Sequence, residues 1–105
     1  IGCGANDVDL ALAMNRVRAM KGGMAVAKDG KILAELPLPL AGLFTDRPLE
    51  EVNAKLEACK RAAAELGVAD GIDPFMTLSF MSLPVIPTLR LTTRGVFDVD
   101  KMTFL

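Results

Sequence analysis

Apolar and polar positions recur along the 105-residue chain with two different periods, and the switches between them set the order of elements. Leu10, Met14 and Val17 stand four and three residues apart with Ala13 beside them, which predicts one face of a helix running to about Met20. Asn6 or Asp7 supplies the N-cap, and Asp7 and Asp9 place negative charge where the helix dipole favours it. Arg16, Arg18 and Lys21 gather at the other end, and Gly22-Gly23 stops the helix. Ahead of it, Ile1 to Gly4 reads as the end of a buried strand. A strand end followed at once by a helix cap reads as the middle of a domain, with its amino-terminal edge truncated.

Period two takes over next. Met24-Ala-Val-Ala-Lys28 and Lys31-Ile-Leu-Ala-Glu35 flank Asp29-Gly30, a pair that favours a type I′ turn because both central residues need positive φ. Val26, Ile32 and Ala34 can share one face, but the reverse face is also apolar, so both faces of this hairpin can be covered. Leu36 to Phe44 is apolar yet broken by Pro37, Pro39 and Gly42, which predicts an extended or edge segment packed on the body.

A second helix is predicted after Thr45-Asp46-Arg47-Pro48, with Thr45 or Asp46 as cap and Pro48 in the first turn. Its stripe is Leu49, Val52, Leu56, Cys59, Ala63 and Leu66, and Gly67 ends it. Full burial of its four large aliphatics would contribute about 1.5–3 kcal/mol each. Asp70 to Pro74 is a turn, and Phe75 to Leu83 fits a buried strand or a short helix equally. Pro84 and Pro87 force an extended path. Leu89–Leu91, Val96–Val99 and Met102–Leu105 read as strand pieces around a turn at Thr92–Gly95. The expected order is β-α-β-β-α-(β)-β-β: a single α+β domain over residues 1–105, two amphipathic helices packed on a mostly antiparallel or mixed sheet.

Composition narrows the chemistry. No histidine is present, and Cys3 and Cys59 are the only soft ligands, so an ordinary zinc, iron or Ser-His-Asp centre cannot be built from this chain alone. Half the residues are apolar (51%), enough for a core that would typically give roughly 5–15 kcal/mol of stability. With five Phe and no Trp or Tyr, that core must be aliphatic, with Met filling irregular gaps. A net charge of −1 without a basic stripe disfavours nucleic acid. No apolar run reaches the ~18 residues of a membrane span and no signal peptide opens the sequence. Two cysteines outside any disulfide-rich pattern fit a reducing cytoplasm.

Several local patterns invite a functional reading. Gly2-Cys3-Gly4-Ala5-Asn6-Asp7 occupies the place where dinucleotide folds hold phosphate, but lacks the third glycine and offers carboxylates at Asp7, Asp9 and Asp29; a tight, closely packed turn is the plainer expectation. Cys3 could be a nucleophile only with a base or cation beside it, and Cys59 on the apolar stripe should act as a small hydrophobe. Glu50, Glu51, Glu57 and Glu65 belong to a solvated helix surface. Asp98 and Asp100 could face one cleft or guard an edge strand. Thr77, Ser79 and Ser82 are small hydroxyls in an apolar run that could line a pocket or an interface, or be ordinary core.

Taken together, Gly4-Ala-Asn-Asp7, Gly22-Gly-Met-Ala-Val-Ala-Lys-Asp-Gly-Lys31, Leu36-Pro-Leu-Pro-Leu-Ala-Gly42 with Pro48-Leu-Glu-Glu-Val52, Asp73-Pro-Phe-Met-Thr-Leu-Ser-Phe80 and Leu83-Pro-Val-Ile-Pro87 resemble the carboxy-terminal domain of bacterial adenine deaminase. The resemblance runs in order over essentially the whole chain. It implies a parent of the amidohydrolase superfamily that hydrolyses adenine to hypoxanthine and ammonia in purine salvage and adenine catabolism. There a divalent metal, manganese or iron, sits in a (β/α)₈ barrel and activates water. No metal ligand of that barrel maps onto a residue here, so no catalytic, cofactor-binding or metal-ligating position is assigned. The implied partners are the barrel of the same polypeptide, adenine as the parent's substrate and a homo-oligomer; the competing expectation is a stand-alone or regulatory small-ligand-binding or dimerisation module.

Overall fold

The computed structural model describes residues 1–105 and has an α+β architecture of three helices and two small antiparallel sheets. The elements are α1 (Asp7–Ala19), β1 (Gly23–Lys28), β2 (Lys31–Pro37), α2 (Leu49–Glu65), α3 (Pro74–Phe80), β3 (Leu89–Thr92), β4 (Gly95–Asp98) and β5 (Thr103–Phe104). Backbone contacts gather them into two units, Gly2–Pro74 and Phe75–Leu105 with Ile1.

In the first unit α1 and the hairpin turn lie where the sequence expects, but β2 runs two residues further, through Leu36 and Pro37, which pair with Met24 and Gly23. Asn6 caps α1 by accepting the amide of Asp9 at 2.8 Å. Asp29 and Gly30 both take positive φ, 51° and 75°, so the hairpin closes on a type I′ turn. Register runs from Lys28↔Lys31 to Gly23↔Pro37 and shifts at Val26/Ala27, a bulge that periodicity did not anticipate. Successive residues of β2 serve different helices: Glu35 reaches Arg16 of α1, while Leu36 lines a cleft with Val52 and Lys55 of α2. Alternation along a strand sends such neighbours to opposite faces, so α1 and α2 cover the hairpin from either side.

Three further expectations are corrected in this unit. Ile1–Gly4 forms no strand; Gly2 and Gly4 instead press against α1, where a Cβ would come 2.9 Å from Leu10 Cδ1 and 3.0 Å from Leu10 Cβ respectively. The N-cap of α2 is Pro48, with no side-chain cap, while Thr45 Oγ1 accepts the Arg47 amide at 3.3 Å. None of the four large aliphatics of α2 is buried. Its buried residues are Cys59, Ala62 and Ala63, which with Val26 and Leu36 make the core. Small residues let α2 approach the hairpin closely, and Leu49 and Leu66 are left at the helix ends in solvent.

The second unit resolves the ambiguous segment. Pro74 sets φ for a first turn, and Phe75 to Phe80 continue as α3, with Phe75 and Leu78 half-buried three residues apart. Strands β3, β4 and β5 then form a meander in that spatial order, separate from the hairpin. The expected single sheet is therefore two sheets, and the two expected helices are three. Phe97 and Phe104 meet edge-to-face at 5.1 Å across β4 and β5.

Candidate functional site

The start of α1 is built as a clasp. Asn6 Nδ2 donates to Asp9 Oδ2 at 3.0 Å, fixing a carboxylate that accepts the turn amides of Asp29 at 3.0 Å and Gly30 at 2.8 Å. The Asn6 hydrogen bond, then the Gly30 and Asp29 amides, hold the Asp9 carboxyl below the usual carboxylate range. Of the residues Gly2–Asp7, Asn6 thus binds a carboxylate the protein supplies itself, while Gly2 and Gly4 pack on Leu10, so the plainer expectation of a close-packed turn describes the geometry.

On the same face Arg16 grips Glu35 through Nε at 2.5 Å and a second nitrogen at 2.7 Å, a bidentate pair joining α1 to β2. The guanidinium lowers the Glu35 carboxyl, and Glu35 raises Arg16 in return. Cys59 is fully buried on the other helix, and burial, with the Glu35 charge nearby, pushes its thiol up. It is a packing residue. Cys3 is exposed. Glu50, Glu51, Glu57 and Glu65 are all exposed on α2, as expected for a solvated surface.

Between β2 and the start of α2 lies a cleft of about 320 Å³ lined by Leu36, Pro37, Thr45, Arg47, Val52 and Lys55 among others. Its walls mix apolar surface with charges of both signs. Sequence reasoning missed it, since its residues sit on either side of the proline-broken segment and carry no shared motif.

In the second unit Asp98 and Asp100 do not share a cleft. Asp98 is 5% exposed and accepts the Lys101 amide at 3.0 Å, with Lys101 Nζ at 3.2 Å, whereas Asp100 is exposed in the turn. The Lys101 amide is the chief reason the Asp98 carboxyl lies below its ordinary value. Ser79 donates to the Met76 carbonyl at 2.7 Å and Ser82 to that of Ser79 at 3.0 Å, so these hydroxyls finish α3 and do not line a pocket. Thr77 is exposed on the same helix. Arg90 turns onto the carbonyls of Leu89, at 2.8 Å, and Pro87, and Arg94 stacks 4.8 Å over the Phe104 ring. No three acidic or cysteine side chains converge to hold a metal ion.

What both units do present is apolar surface. Leu40, Leu43 and Phe44 stand out of the proline-broken segment of the first, with Leu43 at 69% exposed. In the second, Met76, Phe80, Met81, Leu83, Val85 and Leu89 are exposed over fourteen consecutive positions, with Val85 at 77%. Soluble surfaces carry scattered apolar residues, and a run of this density stands out against them. No helix is long and apolar enough to cross a membrane.

A charge clasp, a bidentate brace and a broad apolar surface are what the fold presents, and relatives identify the family it belongs to. Residues 1–103 match the family model of the adenine deaminase C-terminal domain, and the chain belongs to that family. It is 55% identical over 95 residues, 90% of its length, to an adenine deaminase of Moorella thermoacetica. It is 48% identical over 102 residues to one of Brucella anthropi and 51% over 102 residues to one of Cereibacter sphaeroides, each match taking 97% of this chain. The matched segments are 16%, 18% and 18% of those proteins, so the chain spans about a sixth of the length of the relatives it matches.

Proposed function

We propose that this chain is the accessory carboxy-terminal domain of a cytoplasmic adenine deaminase that hydrolyses adenine to hypoxanthine and ammonia in purine salvage. Its part is to brace the catalytic body through the apolar residues exposed within Leu36–Phe44 (Leu40, Leu43 and Phe44) and Phe75–Leu83 (Met76, Phe80, Met81 and Leu83). The observation that carries this is the run of exposed Met76, Phe80, Met81, Leu83, Val85 and Leu89 in a chain that spans about a sixth of the length of its relatives. The divalent metal such hydrolysis uses, manganese or iron, does not fit the donors here: Cys59 is buried with a raised thiol, Asp98 is engaged by Lys101 and the other carboxylates stand apart. In this reading metal, activated water and adenine belong to the remainder of the polypeptide.

The cleft between β2 and α2 favours a second reading, a small-ligand or self-association module that works without catalysis. Assaying ammonia release from adenine separates the two. Polypeptide carrying this domain with its upstream chain is expected to release ammonia, and the 105-residue chain alone to release none and to bind no adenine by calorimetry. Adenine binding by the isolated chain, or a locus that encodes no upstream barrel, would sink the accessory reading.

A further inference from the structure

Asp-Gly occurs twice in the chain, at Asp29-Gly30 and at Asp70-Gly71. The dipeptide has a chemistry of its own: with no side chain on the second residue, the amide nitrogen of glycine can close on the aspartate carboxyl to form a five-membered imide. Closure requires that nitrogen to give up its proton and the aspartate to turn out of its resting backbone angles. The fold treats the two copies oppositely.

Asp29-Gly30 is locked. The Gly30 amide donates to Asp9 Oδ1 at 2.8 Å and the Asp29 amide to Asp9 Oδ2 at 3.0 Å, so the nitrogen that would attack is already engaged. A carboxylate so placed also opposes any negative charge on the nitrogen it accepts from. Both residues hold positive φ at the end of a paired ladder, Lys28 opposite Lys31, and neither turns without opening the hairpin.

Asp70-Gly71 is open. It stands between α2 and α3, in a turn closed by one long bond from the Ile72 N–H to the Ala69 carbonyl at 3.3 Å. Both residues are exposed, the Gly71 N–H donates to no group of the chain, and a Cβ on Gly71 would meet nothing within 4 Å. Nothing packs on this dipeptide to hold its angles or occupy its nitrogen.

We propose that Asp70 is a modification site, converting to isoaspartate, and that the Asp9 clasp protects the identical dipeptide at Asp29. The Gly71 nitrogen gives up its proton and bonds to Cγ of Asp70, whose protonated carboxyl loses hydroxide, so one water leaves and a succinimide remains. A second water then opens the imide. Breaking the new N–Cγ bond restores aspartate. Breaking the original bond between the Asp70 carbonyl carbon and the Gly71 nitrogen routes the chain through Cγ, which adds one backbone atom to the turn and frees an α-carboxylate. Mass is unchanged, and that carboxylate is a substrate for a carboxyl methyltransferase that takes its methyl group from S-adenosylmethionine.

Ageing the complete polypeptide that carries this chain at neutral pH tests the proposal. Two synthetic peptides, Val26–Leu33 and Leu66–Asp73, give the rate of each dipeptide without its fold. Isoaspartate is counted by methyl transfer from S-adenosylmethionine and located by electron-transfer fragmentation of the digest. Relative to its own peptide, Asp29 is expected to be slowed at least about tenfold more than Asp70, since a carboxylate-bound amide must first be freed. A smaller difference, or the stronger protection at Asp70, would overturn the proposal.

Discussion

The backbones of Gly22 and Gly42 are in contact: a Cβ built on Gly22 would stand 2.3 Å from the Cα of Gly42 and 3.0 Å from the Leu38 carbonyl oxygen. Gly22 also holds φ at 126°, outside the range of an L side chain. The contact pins the proline-broken segment against the end of α1 and so fixes how Leu40, Leu43 and Phe44 are displayed. From Gly42 the view differs, since its own Cβ would meet nothing nearer than 3.9 Å. Gly22→Ala is therefore expected to destabilise the chain by about 2–4 kcal/mol and Gly42→Ala by about 1–2 kcal/mol. Thermal melts of the two variants check the order; equal losses would contradict the contact.

The clasp at Asp9 and the brace at Glu35 carry a pH signature. Both carboxyls ionise more readily in the folded chain than at their ordinary values of 3.8 and 4.5. Their stabilisation is complete above those values, fades as pH falls through them and is gone below the depressed folded values. Urea melts between pH 7 and pH 3 are expected to show stability falling below about pH 4.5. In Asp9→Asn and Glu35→Gln the fall is shallower and the pH 7 stability lower. A variant with an unchanged slope would show that its carboxylate does not link folding to protons.

Much of this first unit was legible because its signals are local. Asn6, Asp29-Gly30 and Gly67 mark ends by backbone chemistry that needs no tertiary partner. The clasp was half visible: Asn6 and Asp9 have the three-residue spacing of a reciprocal cap, but that the carboxylate also closes on the Gly30 amide is a tertiary fact. The failures share a cause. Ile1–Gly4 has strand composition and no ladder, and of the Leu49–Leu66 stripe the small members Cys59 and Ala63 are buried while its four large aliphatics are not. Phe75–Leu83 has both periods in its apolar pattern, and Pro74 decided for helix. Pattern names which residues seek cover; it does not say whether this chain provides it.

That distinction yields a contrast between two leucines both read as buried or packed. Leu36 is 3% exposed and Leu49 is 69% exposed. Leu36→Ala is expected to cost about 2–5 kcal/mol and Leu49→Ala less than about 0.5 kcal/mol in chemical denaturation of the 105-residue chain. Comparable costs would mean that the start of α2 is packed in solution.

The cysteines should separate cleanly by reactivity. A thiol reagent at neutral pH is expected to modify exposed Cys3 in the native chain and Cys59 only after denaturant is added, since Cys59 is enclosed and its thiolate disfavoured. Rapid modification of both in the native chain would contradict the core described around Cys59.

The brace itself is tested most directly by reconstitution. The deaminase polypeptide is made without this domain, the 105-residue chain is added back, and ammonia release from adenine is followed with the wild-type chain and with a Leu83→Asp/Val85→Asp variant. The expected result is low activity without the domain, recovery with the wild-type chain and little recovery with the variant. A truncated enzyme that is stable and fully active alone, unchanged by adding the chain, would contradict the assignment of these apolar surfaces to the catalytic body.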